Sequence, residues 1–429
     1  MSTAPIPGPL VTDLYELNMA ASYMRRGMVG PATFSLFVRT LPPSRGFLVA
    51  AGLEDCLAFL ESFRFGNEDL AYLRELGFDD DTVGRFAKLR FTGDVWAVPE
   101  GTIVFAGEPL LEVTAPIAEG QLVETYLLNQ ITFQTTIATK AARCRIAAAG
   151  RAQLVDFALR RTQGVEAGMA VARLSAMVGF AATSNVEAAR RYGLRPAGTM
   201  AHSYIEAFPH EKDAFRAFAT DFPGRATFLV DTYDTLEGVR HAIEVIRELG
   251  LSGNLGVRLD SGDLDALARA TRKLLDEAGL ETVRIFASGG LDEYDVERLV
   301  RAGAPIDAFG IGTRMGVSAD APTLDTVYKL VAFGDRPVCK LSPGKATMPG
   351  PKQVFRARPI SADLVGLRDE APPAGHEPLL IPVMLGGRRV AEREDLAAAR
   401  SRFEADLAAL PPRALDLRSP VAPAVRHSD

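Results

Sequence analysis

The sequence predicts an α/β fold, a parallel strand–helix barrel preceded by a smaller mixed region. Three observations carry that expectation. From about residue 152 onward, short apolar runs alternate with amphipathic helical stretches. The last four strand candidates start roughly 24 to 30 residues apart, the length of one strand, loop, helix and return. Nearly every strand candidate also ends in polar residues or glycine. A barrel brings all such endings to one rim, whereas an open sheet gathers them mainly where strand order reverses.

Taken in order, "TFSLFVRTLP" and "TGDVWAVPEGTIVFAGEPLLEVTAP" read as strands, and "GLEDCLAFLESF" and "NEDLAYLRELG" as helices. Residues 120–149, rich in alanine and apolar at helical spacing, predict a long buried helix. The alternating series then runs "AQLVDFALRR", "GFAATSN", "ATFLVDTYDT", "NLGVRLDSGD", "TVRIFASGG" and "IDAFGIGTRM", all but the last followed by a helical stretch.

Composition limits the function classes. The chain has 429 residues, 47% of them hydrophobic and 24% charged, enough for a buried core and for more than one domain. A net charge of -6 supplies no global basic field for nucleic acid or an anionic membrane. Cys56, Cys144 and Cys339 lack the close spacing of a zinc or redox motif and suit a reducing cytoplasm. Residues 1–9 carry no basic stretch followed by an apolar run, and no apolar segment reaches membrane length, so neither secretion nor insertion is expected.

Chemistry concentrates in the strand endings. In "VRLDSGD", Arg258 is suited to a phosphate, while Asp260 and Asp263 are suited to ribose hydroxyls or magnesium. The competing reading makes Asp263 a helix cap and Arg258 the partner of an acid. Asp231 and Asp234 in "LVDTYD" pose the same choice. Gly289 and Gly290 let backbone amides approach an anion, with the following helix start reinforcing the attraction. Gly310, Gly312 and Thr313, with Arg314 nearby, form a second compact loop. Neither loop has the lysine of a P-loop or a full dinucleotide fingerprint. In "VDFALRRTQG", Phe157 beside Arg160 and Arg161 would suit a planar ring carrying a carboxylate, the alternative being a core phenylalanine with surface arginines. Lys345 and Lys352 read as an anion-facing loop or a solvated connection. His202, one of five histidines, is by residue type alone either a hydrogen-bonded structural group or a catalytic one.

The ordered series "TDLYELNMAASY", "LRRTQG", "ATSN", "GTMAHSY", "RLDSGD", "ASGG", "FGIGT" and "KLSPGKATMPGPKQV" resembles the nicotinate phosphoribosyltransferase family over about 80% of the chain. The resemblance implies an incomplete parallel α/β barrel with a smaller α+β domain formed by N-terminal and returning C-terminal segments. The corresponding boundaries are 1–130 for the N-terminal domain and the start of the linking helix, 131–340 for the barrel core, and 341–429 for the returning segment and tail.

It further implies transfer of a phosphoribosyl group from 5-phosphoribosyl 1-diphosphate to nicotinate, giving nicotinate mononucleotide and pyrophosphate. Mg2+ is the implied cofactor, ATP the coupling substrate and a homodimer the implied assembly, in the cytoplasm and without nucleic-acid or membrane partners. Residue matching puts His202 at the transiently phosphorylated histidine, with Arg258 and Asp260 as the other catalytic groups. Tyr15, from a neighbouring subunit, and Phe157 would flank the pyridine ring, with Arg160, Arg161 and Ser184 around it. Asp231 joins the sugar and diphosphate region, and Gly289, Gly290, Gly312 and Thr313 the 5′-phosphate loops. The metal ligands are left unassigned. Ala158 stands where the family pattern leads one to expect glycine, and "HSY" where a tryptophan ending is commoner. A nicotinamide-specific transferase, a barrel sugar-phosphate isomerase or lyase, and a non-enzymatic metabolite sensor are the alternatives.

Overall fold

The computed structural model describes residues 7–340, 347–390 and 392–428. Contacts divide the chain into two compact units, residues 1–139 with 321–429 and residues 140–320. These divisions differ from 130 and 340 for identifiable reasons. Within the helix Glu124–Ala148, Thr135 and Thr139 bond to the backbone of Ala51 and Val49, while Lys140 and Arg143 pair with Glu293. The strand Thr326–Phe333 pairs antiparallel with Pro31–Val38 across the length of the chain.

The first unit contains a seven-stranded sheet in which every hydrogen-bonded pair is antiparallel, with Pro31–Val38 and Pro109–Pro116 near its centre. A four-stranded sheet is built from the C-terminal strands His376–Pro378, Lys352–Ala357, Ala362–Leu367 and Ala424–His427. Phe59, Phe63, Phe65 and Phe86 form a ring-on-ring cluster in the core, with Tyr126 stacked on Phe59 at 4.0 Å. Apolar burial of this extent is the main stabilising contribution.

Six parallel strands form the sheet of the second unit, in the order Ala182–Thr183, Gln153–Asp156, Ala308–Ile311, Arg284–Ala287, Gly256–Leu259, Thr227–Leu229. The expected strand–helix alternation is present. Val165–Met177, Val186–Tyr192, Thr235–Glu248, Leu264–Glu277 and Glu293–Arg301 are the helices that follow the first five strands in the chain. Asp234 and Asp263 resolve to helix caps: Asp234 accepts the Glu237 amide, and Asp263 those of Asp265 and Ala266. Two further helices, His202–Glu206 and Glu211–Asp221, lie between the second and third strands of the chain. Among the described residues, no helix is long and apolar enough to cross a membrane.

Candidate active site

Because the strands of the second unit are parallel, the loops at their C-terminal ends lie along one edge, where hydrogen bonds join them. Asp231 accepts the Asp260 amide at 3.0 Å and the Ser261 hydroxyl at 2.6 Å through Oδ2. Its other oxygen, Oδ1, is buried without a partner. Asp260 Oδ1 accepts the Ser288 hydroxyl and lies 3.4 Å from Arg258 Nη2. Arg258, whose side chain is 12% exposed, donates through Nη1 to the Thr199 hydroxyl at 2.6 Å and the Met200 carbonyl at 3.2 Å. Burial pushes its guanidinium below the usual range, with Asp260 and Asp231 opposing.

His202 begins a short helix and joins the same edge. Its Nδ1 lies 3.1 Å from the Thr232 hydroxyl, and its Nε2 lies 3.9 Å from Asp260 Oδ2. The structure therefore brings His202, Asp231, Arg258 and Asp260 into one polar group. Sequence reasoning did not find Thr199, Thr232 or Ser288, although each sits within or beside a quoted motif. A hydroxyl in a glycine-rich turn carries no pattern that tells a partner from a solvated side chain.

A second group forms at the first two strand endings. The Phe157 ring packs 5.6 Å from Phe286, tilted by 41°. Phe157 also covers Gly310, where a Cβ would come within 2.7 Å of its ring, so that glycine is fixed by packing. Arg160 and Arg161 follow in a single 3-10 turn, exposed, their side chains without hydrogen-bond or ion-pair partners among the described residues. Ser184 is held by its amide, which donates to the Asp156 carbonyl at 2.8 Å. Ala158 is fully buried, and its methyl packs against Gly316, where a Cβ would meet it at 2.6 Å; the departure from glycine is thus met inside the protein. Tyr204 of "HSY" packs against Phe208 and Phe218.

The glycine loops keep part of their expected character. Gly289 has φ +102°, and a Cβ there would lie 1.9 Å from the Asp260 carbonyl oxygen, so only glycine allows the two loops to touch. Gly290, at φ +70°, faces open space. At the following helix start Asp292 caps the first turn, accepting from the Tyr294 and Asp295 amides at 2.9 and 3.2 Å. Arg314 is similarly occupied, donating to Asp292 at 3.0 Å and Asp295 at 3.2 Å. Gly312 and Thr313 lie at the end of the last strand of the series, Gly312 close over the Phe157 carbonyl.

Three other expectations fall elsewhere. Lys352 lies on neither an anion-facing loop nor a solvated connection. It is buried in the strand Lys352–Ala357, 3.4 Å from Glu112 and donating to the Gly350 carbonyl at 2.9 Å. Proline and glycine around it masked a strand whose partner acid is far away in sequence. Lys345 lies outside the described residues. Tyr15 belongs to the first unit, near the start of the helix Leu14–Arg25, and is 49% exposed.

Residues 10–132 match the nicotinate phosphoribosyltransferase (NAPRTase) N-terminal domain, and residues 152–347 the nicotinate phosphoribosyltransferase (NAPRTase) family. Nicotinate phosphoribosyltransferase pncB2 of Mycobacterium tuberculosis is 50% identical over 418 residues, 96% of this chain and 89% of that protein. The Bacillus subtilis nicotinate phosphoribosyltransferase is 44% identical over 81% of this chain and 72% of its own length. The crystal structure of human nicotinic acid phosphoribosyltransferase superposes with a TM-score of 0.87 at 31% identity, covering 97% of this chain and 98% of that one. The chain belongs to the nicotinate phosphoribosyltransferase family.

Proposed function

We propose that this chain joins nicotinate to 5-phosphoribosyl 1-diphosphate, forming nicotinate mononucleotide and pyrophosphate, on the strand-end edge of the second unit. The observation that carries the reading is the presence of two side-chain groups there: Arg258, Asp260 and Asp231 in one network, Phe157 with two exposed arginines in the other. The names of its relatives favour nicotinate over nicotinamide, and an enzyme over a sensor.

The parallel sheet reads as an incomplete barrel. Each hydrogen-bonded neighbour is adjacent in the chain series, and the first and last members, Gln153–Asp156 and Ala308–Ile311, also pair. Only Ala182–Thr183 and Thr227–Leu229 lack the bond that would close the ring. Three helices, Val186–Tyr192, His202–Glu206 and Glu211–Asp221, occupy that interval of sequence.

In the reaction, Phe157 aligns the incoming ring by stacking, and Arg160 and Arg161 supply guanidinium donors to its carboxylate. The ring nitrogen already carries a lone pair, so no base is needed. As the diphosphate leaves, positive character develops at ribose C1, near which Asp260 and Asp231 would hold the hydroxyls. Gly289, Gly290, Gly312 and Thr313 face the 5′-phosphate. The unpartnered Asp231 Oδ1 and Asp260 Oδ2, whose neighbour is His202 Nε2 at 3.9 Å, are hard oxygen donors of the kind that would hold Mg2+. Among the described residues no cluster of three or more potential ligands would hold a metal without substrate. Mg2+ would neutralise charge on the leaving diphosphate.

ATP coupling runs through His202. In the tautomer whose Nδ1–H donates to the Thr232 hydroxyl, Nε2 carries the lone pair that attacks the γ-phosphorus, forming the N–P bond as ADP departs. A neighbouring subunit would supply Tyr15 in a homodimer working in the cytoplasm. The test is a purified-protein assay resolving nicotinate mononucleotide by mass, run in parallel with nicotinate and nicotinamide. Product from nicotinate is expected, and its absence with folded protein would refute the reading.

A further inference from the structure

Phe157, Arg160 and Arg161 follow one strand and Ser184 follows another, so a ring-binding site built from them depends on what fixes one loop against the other. Resting on the assignment of these residues to nicotinate, we infer that Asp156 and Thr183 are positioning residues that staple the two loops and so set the geometry of the pyridine subsite.

Asp156 is fully buried at the end of its strand. Its Oδ1 accepts the Ala158 amide at 2.8 Å, and its Oδ2 accepts the Thr183 hydroxyl at 2.7 Å. The Thr183 oxygen in turn accepts the Asn185 amide at 3.0 Å. The main chain repeats the link, since the Ser184 amide donates to the Asp156 carbonyl at 2.8 Å. Every bond ends on a residue next to, or part of, the expected ring contacts. Asn185 then closes its own loop, accepting the Ala188 amide at 3.0 Å and donating to the Gly168 carbonyl at 3.3 Å.

The chemistry of the staple is directional. No basic side chain pairs with Asp156 among the described residues, and a buried carboxylate without a countercharge is costly, so stability alone does not favour it. A carboxylate offers only acceptors, and both groups facing it are donors. With Thr183 donating to Asp156, the lone pairs of its oxygen are turned to the Asn185 amide. An asparagine at 156 would present one N–H where an acceptor is required. Either the Ala158 amide or the Thr183 hydroxyl would then lose its partner, and the loops would shift in register.

The test compares Asp156→Asn, Thr183→Val and Thr183→Ser in the full-length protein, with thermal midpoints recorded for each. Thr183→Val and Asp156→Asn are expected to raise the nicotinate KM roughly ten-fold or more, the usual effect of losing a hydrogen bond to a charged group. The preference for nicotinate over nicotinamide should fall with it, while the KM for the phosphoribosyl donor stays within about two-fold. Thr183→Ser, which keeps the hydroxyl, should restore the intact values. A folded Thr183→Val with unchanged nicotinate KM, an equal rise for both substrates, or a Thr183→Ser no better than Thr183→Val would each overturn the inference. If Asp156→Asn does not fold, the Thr183 pair decides alone, because those variants keep the Ser184–Asp156 main-chain bond and Thr183→Ser keeps the acceptor of the Asn185 amide as well. Failure of the intact protein to make nicotinate mononucleotide would instead sink the underlying function, a separate result.

Discussion

His202 is 40% exposed in its side chain, touches Thr232 with one nitrogen and stands 3.9 Å from Asp260 with the other. That placement suits a phosphoryl acceptor and leaves ring attachment to other groups. His202→Ala should therefore abolish ATP-dependent stimulation while retaining most basal transfer, measured as product formed with and without ATP; equal loss of both would assign it a general catalytic or structural role. The side chains of Arg160 and Arg161 differ from that of Arg258 in having no hydrogen-bond or ion-pair partner among the described residues. Truncating the one that meets the carboxylate should lower the nicotinate-to-nicotinamide ratio of kcat/KM by roughly ten- to a hundred-fold. Kinetics of Arg160→Ala and Arg161→Ala with both bases identify which it is, and an unchanged ratio in both would refute selection by charge. The two arginines were legible in the sequence because a doubled cation beside an aromatic residue is a chemical pattern. Their freedom from partners was not, since that depends on which acids the fold brings near.

The loops Asp260–Asp263 and Ser288–Gly290 behave as one element, because Gly289 has no room for a Cβ beside the Asp260 carbonyl. Gly290 shares the left-handed backbone but has open space around it. Gly290→Ala should cost only about 1–2 kcal/mol, the penalty of an L-residue in that conformation. Gly289→Ala must also displace backbone, so it should show the larger drop in thermal midpoint and a raised KM for the phosphoribosyl donor. Equal effects of the two substitutions would mean that the loops do not depend on their contact. The alternation of strands and helices was readable because each helix keeps one apolar face at regular spacing and several begin with a capping aspartate, as at Asp234, Asp263 and Asp292. Pairing of Thr326–Phe333 with Pro31–Val38 left no such local mark, and neither did the buried ion pair of Lys352 with Glu112. Both join residues remote in sequence, and nothing in either segment alone names its partner.

Across the whole molecule the perturbed carboxyls fall into two sets of opposite sign. Burial raises Glu16, Glu108, Glu119, Glu124, Asp156 and Glu211, and it takes Glu16 from 4.5 to about 7. Asp79, Glu187, Glu244 and Glu248 are lowered by hydrogen bonds or basic neighbours, but they are exposed, and solvent screens their contribution. For a raised carboxyl, only at pH values between its ordinary and its folded value does the folded state hold a proton that the unfolded chain releases. The stability such a group contributes is complete below the ordinary carboxyl value and is lost as pH rises through the folded value. For Glu16 that window runs from 4.5 to about 7 and is worth up to about 3 kcal/mol. Glu16 is fully buried, with the Thr12 and Thr125 hydroxyls donating to it and Glu124 nearby, and no cation pairs with it among the described residues. The thermal midpoint of the intact protein should accordingly fall between about pH 5 and pH 8. Glu16→Gln keeps a carbonyl acceptor but cannot ionise, so its curve should be flatter and should lie above that of the intact protein at the alkaline end. Parallel curves for the two proteins would show that Glu16 titrates as an ordinary carboxyl and that burial does not govern its charge.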